Sequence, residues 1–425
     1  MQLVINNKIY TDNSKEADEN SAFVYSKQNK IFIEDAKKNG CKEFIKSEDL
    51  KNHCDFSSIK VIGITGTNGK TTTAAAIYSI LLDLGYKVAL QGTRGFFINE
   101  QRVEEYSLTT PVQLGNFAHV QKAIENHCDF FVMEVSSHAI EQKRIEGLTF
   151  ELKILTNITR DHLDYHKTIE EYINVKNSFF DDESKKLINK DEKKAKFNPK
   201  NCLTYGLDEP STYKVQAYSF KDGMHVALQN FEKVESFTSM MMGIFNVYNL
   251  TAAIAAVHMT TKKSLNEICE AVENFAGVSG RMETLSLNPY IIVDFAHTPD
   301  GMKEVLGSFG HKDIIVVFGA GGDRDKDKRP LMGKVAQNYA KHIIVTSDNP
   351  RFEDPDLIIE DILRGISDKS KVEVEINRKL AIKKAIDLYT KNSVILVLGK
   401  GDEEYQIIYD QKLPFCDKEV INSYL

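Results

Sequence analysis

The chain reads as an α/β protein of three domains. Three observations predict this. Apolar strand-like runs alternate with helical patterns from Val61 onward, a Gly-marked break falls at Gly277–Gly280, and a second strand–helix series starts after it. The length, 425 residues, suits two or three domains at about 150 residues each. Boundaries are expected near 58 and 285, dividing the chain into 1–58, 59–284 and 285–425.

Residues 1–58 are polar and charge-rich. Their short apolar pieces, Leu3–Ile5, Phe23–Tyr25, Ile31–Ile33 and Phe44–Ile45, predict short strands and one helix in a small N-terminal α/β unit. At Val61 an apolar strand meets a Gly-rich turn and then a helical pattern, Thr72–Leu84. Phe130–Val135 and Leu152–Thr156 read as further buried strands of a mostly parallel sheet. Asp181–Lys200 carries charges of both signs and is expected to be a solvated helix and loop. Ile254–Val257 falls in an Ala-rich helix after Asn249. Beyond the glycine break, Ile291–Phe295, Ile314–Phe318, His342–Thr346, Val372–Glu375 and Val394–Leu398 predict five strands of a doubly wound, Rossmann-like sheet.

Composition excludes several classes. A net charge of −7 argues against broad nucleic-acid binding, which needs a basic face. It leaves room for anionic nucleotides held locally by lysines, arginines and helix N-termini. Six cysteines, Cys41, Cys54, Cys128, Cys202, Cys269 and Cys416, form no C-x-x-C pair, so reduced structural thiols are expected. The opening Met1–Lys8 lacks the charged start and apolar core of a signal peptide, and no run approaches a membrane span. The cytoplasm is the expected location.

The sharpest signal is Val61-Ile62-Gly63-Ile64-Thr65-Gly66-Thr67-Asn68-Gly69-Lys70-Thr71-Thr72. Glycines at a strand–helix turn let backbone N–H groups approach phosphate oxygens. The helix N-terminus adds its dipole, Lys70 reaches the outer phosphates, and the Thr71 hydroxyl suits Mg²⁺. Ile64 stands where the general phosphate loop has its first glycine, so the match is to the tail, Gly66-x-x-Gly69-Lys70-Thr71. This makes the central sheet one of P-loop ATPase type.

An ordered set of further motifs narrows the reading: Glu134-Val135-Ser136-Ser137-His138, Thr156–His166, Phe245-Asn246-Val247-Tyr248-Asn249, Gly280-Arg281-Met282-Glu283, Asp294-Phe295-Ala296-His297-Thr298-Pro299, Asp348-Asn349-Pro350-Arg351 and Gly399-Lys400-Gly401-Asp402-Glu403. Together with the phosphate loop they resemble the Mur ligases. The resemblance implies ATP-dependent formation of an amide bond through an acyl phosphate, with Mg²⁺. It implies a UDP-N-acetylmuramoyl-L-alanyl-D-glutamate substrate and meso-2,6-diaminopimelate as the amine, in peptidoglycan synthesis, by a monomer. It makes Glu134, His162 and a carbamylated Lys176 metal ligands beside Thr71, and places Asn249, Arg281, Asp294 and His297 at ATP. The UDP substrate is assigned to Ser14, Thr109, Thr110, Ser136, Gln142 and Arg144. The amino acid is assigned to Arg324, Asp348, Asn349, Pro350, Arg351, Gly399 and Glu403. Diaminopimelate differs from lysine chiefly by a distal carboxylate, which a planar guanidinium such as that of Arg351 would recognise. Family members that use lysine resemble D-D-P-N at that motif. Asp402 stands where the family has His, and the resemblance is loose over residues 1–58. A folylpolyglutamate synthetase or the dipeptide-adding Mur ligase is the alternative within the fold; a non-catalytic nucleotide-binding regulator is the alternative outside it.

Overall fold

A computed structural model describes residues 2–105, 108–221 and 223–425; Met1, the first residue of the opening stretch read above, lies outside them. The first sheet runs Gln2–Ile5, Lys8–Thr11, Ser21–Tyr25, Glu43–Lys46, antiparallel in its first pair and parallel thereafter. Asn6 and Asn7, at φ of 49° and 64°, make the two-residue turn between the antiparallel strands; asparagine tolerates this left-handed backbone. The Ile31–Ile33 piece supplies the helix, entering Ile33–Lys38 through a short 3₁₀ turn. Leu3, Tyr10, Ala22 and Val24 pack against Leu114 and Phe117 of the helix Gln113–Glu125 in the next domain.

The central sheet has eleven strands. Seven are parallel, in the order Tyr213–Ser219, Cys202–Gly206, Lys186–Asn189, Phe150–Leu155, Lys60–Thr65, Phe130–Glu134, Val88–Gly92. Antiparallel strands extend both edges: Met224–Asn230 with Lys233–Ser239, and Gly95–Ile98 with Gln101–Glu104. The middle strands read as unbroken apolar runs because helices or loops cover both faces. Helices Lys70–Asp83 and Ile244–Thr260 lie together on one face, where Ala252, Ala253, Ala255 and Ala256 are all buried and permit close approach. One expectation is corrected here. Asp181–Lys200 is not a solvated helix and loop; it contains the fully buried strand Lys186–Asn189. Lys186 misleads because its stem is buried while its ammonium reaches the Ser184 and Lys200 carbonyls, at 2.7 and 3.1 Å.

The C-terminal sheet is ordered Glu283–Leu287, Tyr290–Asp294, Ser393–Leu398, Asp313–Phe318, His342–Val345, Val372–Val374. The last five are parallel and are the five strands expected; Glu283–Leu287 adds an antiparallel edge. Apolar clusters fill both faces. A hairpin, Tyr405–Ile408 with Gln411–Pro414, follows the last of them in sequence. No helix among the described residues is long and apolar enough to cross a membrane.

Candidate active site

The phosphate loop and the carboxyl ends of the C-terminal strands face one cavity of about 340 Å³. Ligands of open α/β sheets bind at such strand ends, because the following loops converge there. Two glycines are required by close approach. A Cβ on Gly66 would lie 1.8 Å from Thr156 Oγ1, and one on Gly69 (φ +85°) would lie 2.3 Å from Asn249 Oδ1. Gly69 caps the helix that starts at Lys70. Lys70 Nζ donates to the Gly66 and Thr67 carbonyls at 2.8 and 2.9 Å, curling over the loop. Burial lowers its pKa, and Glu134 and Asp161 oppose that shift.

Glu134 ends its strand at the mouth of the loop. It accepts from Thr71 Oγ1 at 3.0 Å and from Thr93, through N at 2.9 Å and Oγ1 at 3.3 Å. Thr110 Oγ1 donates to the Glu134 carbonyl and accepts from Ser136 N, both at 2.9 Å. Thr109 Oγ1 lies 3.1 Å from Thr93 Oγ1. Among the described residues no cluster of three His, Cys, Asp or Glu side chains could cage a metal alone. A hydroxyl and a carboxylate side by side at a phosphate loop fit Mg²⁺, which keeps phosphate and water oxygens in its octahedron.

His162, at φ +53°, lines the same cavity, with its ring 5.0 Å from that of His138. Burial pushes its pKa down to about 4, against the pull of Asp161. Lys176 does not line the cavity; it lies behind the phosphate loop, 1% exposed, with Nζ donating to the Gly66 carbonyl at 2.8 Å. Burial first, and the Lys70 charge second, hold its pKa well below that of an ordinary lysine. Carbamylation needs a neutral amine, and this environment favours one.

From the C-terminal side, Arg281 stacks over the Phe295 ring at 4.3 Å. Asp294 is buried and accepts from the Met282 and Ala296 amides, each at 2.7 Å; burial raises its pKa. His297 lines the cavity, with burial pushing its pKa down to about 4. Asn249 is buried under Gly69 and donates to Asn246 Oδ1 at 3.0 Å. Arg324 and Arg351 both reach the cavity, as do Asp348, Asn349, Gly399 and Glu403. Arg351 Nη1 donates to the Gly322 carbonyl at 2.8 Å, and burial, then the Arg324 charge, lower its pKa. Two guanidiniums that repel one another in this way favour an anion between them. Glu403 Oε2 accepts from Asn349 Nδ2 and from Lys400 Nζ, both at 2.9 Å.

Other predicted residues lie elsewhere. Pro350 lines an adjoining cavity of about 930 Å³ behind the Asp348–Arg351 loop. Gln142 and Arg144 pair with each other, Arg144 Nη2 donating to Gln142 Oε1 at 2.7 Å, and Arg144 Nη1 reaches the Thr110 carbonyl at 2.8 Å. They thus border the Thr109–Thr110 wall without lining the cavity. Ser14 lies in a turn of the first domain, its carbonyl accepting from Asn39 Nδ2 at 2.8 Å, and lines neither cavity. The sequence reading assigned no role to Thr93, Asp161, Asp164 or Lys328, all of which line the cavity. Asp161 and Asp164 sat in a quoted motif; Thr93 and Lys328 carried no signal of their own.

The Mur ligase middle domain model matches residues 64–257, and the Mur ligase glutamate ligase domain model matches residues 280–401. The UDP-N-acetylmuramoyl-L-alanyl-D-glutamate–2,6-diaminopimelate ligase of Wolinella succinogenes is 54% identical over 98% of this chain and 95% of its own. Its counterpart in Helicobacter hepaticus is 50% identical over 96% and 91%. A solved structure of a ligase of that name superposes with a TM-score of 0.69 at 29% identity, over 98% of this chain and 94% of the other.

Proposed function

The chain belongs to the Mur ligase family, and from that membership we propose that it joins meso-2,6-diaminopimelate to the D-glutamyl carboxylate of UDP-N-acetylmuramoyl-L-alanyl-D-glutamate, using ATP. The product is a tripeptide precursor of peptidoglycan. In the first step a carboxylate oxygen bonds to the γ-phosphorus of ATP, the bond to the β–γ bridging oxygen breaks, and ADP leaves with the electron pair. In the second, the amine bonds to the acyl carbon and the carbon–oxygen bond to phosphate breaks. Phosphate departs with that pair, and the two surplus protons of the incoming ammonium pass to phosphate and water.

Both steps bring anions together, so the protein's task is electrostatic and positional. The loop amides from Gly66 to Thr72 cradle the phosphates, and Lys70 turns from its carbonyl partners to the outer ones. Arg281, Asp294, His297 and Asn249 hold the nucleotide from the other side. Thr71 and Glu134 would hold Mg²⁺, with His162 at a second position that a carbamate on Lys176 would reach only by leaving the Gly66 carbonyl; the ion would neutralise phosphate charge. Thr109, Thr110, Ser136, Gln142 and Arg144 border the UDP substrate, and Ser14 lies toward its uridine end. Asp348, Asn349, Gly399 and Glu403 take the amino-acid end of the amine. Six unpaired cysteines support a reducing, cytoplasmic setting, and we take the active unit to be a monomer.

The observation that carries the acceptor assignment is the convergence of Arg324 and Arg351 on one cavity. A site that leaves arginines unpaired with the wrong amine can discriminate by about 10⁴-fold. Competition between diaminopimelate and L-lysine, read as phosphate release in the presence of the UDP-dipeptide, tests it. The expected result is strong preference for diaminopimelate, lost in Arg351→Ala. Comparable kcat/KM for L-lysine, or an unchanged preference in the variant, would refute the assignment.

A further inference from the structure

Lys328 opens the helix Lys328–Tyr339 and lines the junction cavity. Its ammonium makes no hydrogen bond or ion pair among the described residues. Its neighbour Arg329 explains why it stays there. That side chain is fully buried and bonded to Glu353 Oε1 at 2.8 Å, Asp361 Oδ2 at 2.9 Å and the Gly321 carbonyl at 3.2 Å, which pins the start of the helix. The Lys328 ammonium therefore remains in the cavity, partly stripped of water, without a partner. Such a charge is costly unless something pairs with it.

Its surroundings say what that partner is. Asp161, Asp325, Asp348 and Asp164 are the acids whose charge it feels, and none is within ion-pair distance. Asp161 also acts on Lys70, which lines the same cavity. Lys328 thus lines one cavity with the phosphate-loop lysine, with Asp161 and with Asp348 of the amine-binding loop. Both cations border one small space, in which the ATP phosphates and the D-glutamyl carboxylate must meet for the reaction proposed above. We propose that Lys328 is a further catalytic residue, its ammonium contacting the phosphoryl group in transit from ATP to the D-glutamyl carboxylate, together with Lys70. This rests on the reaction proposed above. Because the two lysines come from different domains, the phosphoryl group is clamped from both sides only when the junction is assembled.

Lys328→Met keeps most of the apolar stem and removes the ammonium, and no hydrogen bond or ion pair among the described residues is lost with it. The expected result is a fall in kcat of about 100-fold or more, the size typical of one lost electrostatic donor. The KM for diaminopimelate and the Kd for ADP should stay within about threefold. Affinity for ADP with aluminium fluoride in the presence of the UDP-dipeptide, a mimic of the transferring phosphoryl group, should fall about 100-fold as well. Lys328→Arg, which keeps the charge, should recover at least a tenth of kcat and of that affinity, and serves equally if the methionine variant does not fold. Retention of kcat within about threefold in Lys328→Met would overturn the proposal. So would an effect confined to the KM for diaminopimelate, which would make Lys328 an acceptor-binding residue, or a Lys328→Arg protein no better than Lys328→Met. Failure of the unmodified protein to release phosphate with both substrates would instead overturn the reading of function on which the proposal rests.

Discussion

At the residue scale, Lys176 and Lys70 are two lysines with opposite fates. Lys176 is buried and Lys70 half-buried, and both donate to the Gly66 carbonyl at 2.8 Å. Lys70 can swing to phosphate from the loop's open side, whereas Lys176 sits behind the loop on the helix Ile169–Ser178. Lys70→Ala should leave the fold intact and lower ligation by about 100-fold or more, since it removes the cation that meets the outer phosphates; a purified variant with near-normal rate would refute the assignment. Lys176→Ala should be similarly inactive, with partial rescue by short carboxylic acids that replace the anion of the carbamate. Mass spectrometry of active protein in bicarbonate buffer should show one added CO₂ on Lys176, and an unmodified, fully active protein would sink the idea. The role given to Lys176 came from the resemblance. The burial of this lysine was not legible in the sequence, because a lysine on a helix reads as solvent-facing until the sheet behind it is known.

At the scale of elements, the site depends on how loops are anchored to strands and helices. Arg329 ties the Gly321 carbonyl, Glu353 and Asp361 into the start of one helix. Removing one partner of a buried ion pair strands the others, so Arg329→Met should cost about 3 kcal/mol of stability, measured by denaturant unfolding. The same anchor predicts a pH dependence. Hydrogen bonds from Arg329 hold the Glu353 carboxyl at about 2, below the ordinary 4.5. A depressed folded-state pKa means that the unfolded chain binds the proton first. The contribution of Glu353 is therefore complete above about pH 4.5 and is lost as pH falls toward 2. Glu353→Gln should flatten the acid limb of the stability curve between those values; an unchanged limb would show that the pair contributes nothing. Neither anchor was visible in the sequence, where Arg329 and Glu353 lie in separate polar stretches. The strand Lys186–Asn189 escaped for a related reason, since charged flanks hid a buried core.

At the scale of the whole molecule, the central and C-terminal domains meet through exposed ion pairs. Arg94 Nε lies 3.3 Å from Asp402, and Arg160 Nη2 lies 3.5 and 3.4 Å from Asp325 and Asp327. Asp402 does not line the cavity and contacts the central domain instead. Pairs this exposed are worth at most about 1 kcal/mol. Asp402→Asn should therefore lower kcat/KM by no more than about fivefold, and the deficit should shrink as added salt screens the charges. A larger loss that persists in high salt would put Asp402 in the acceptor site. The ligase chemistry came from the resemblance that the ordered motifs carry; by itself the sequence determined the α/β class, the alternation of strands and helices and the phosphate loop. These depend on periodicity and on local backbone and side-chain requirements, which a linear string carries. Only the tertiary structure decided that Lys328, Lys70 and Asp161 line one cavity, that Arg351 and Arg324 converge on it, and that Lys176 is buried behind Gly66. Those are distances between segments far apart in the chain, set by how the sheets and helices pack, and no local pattern encodes them.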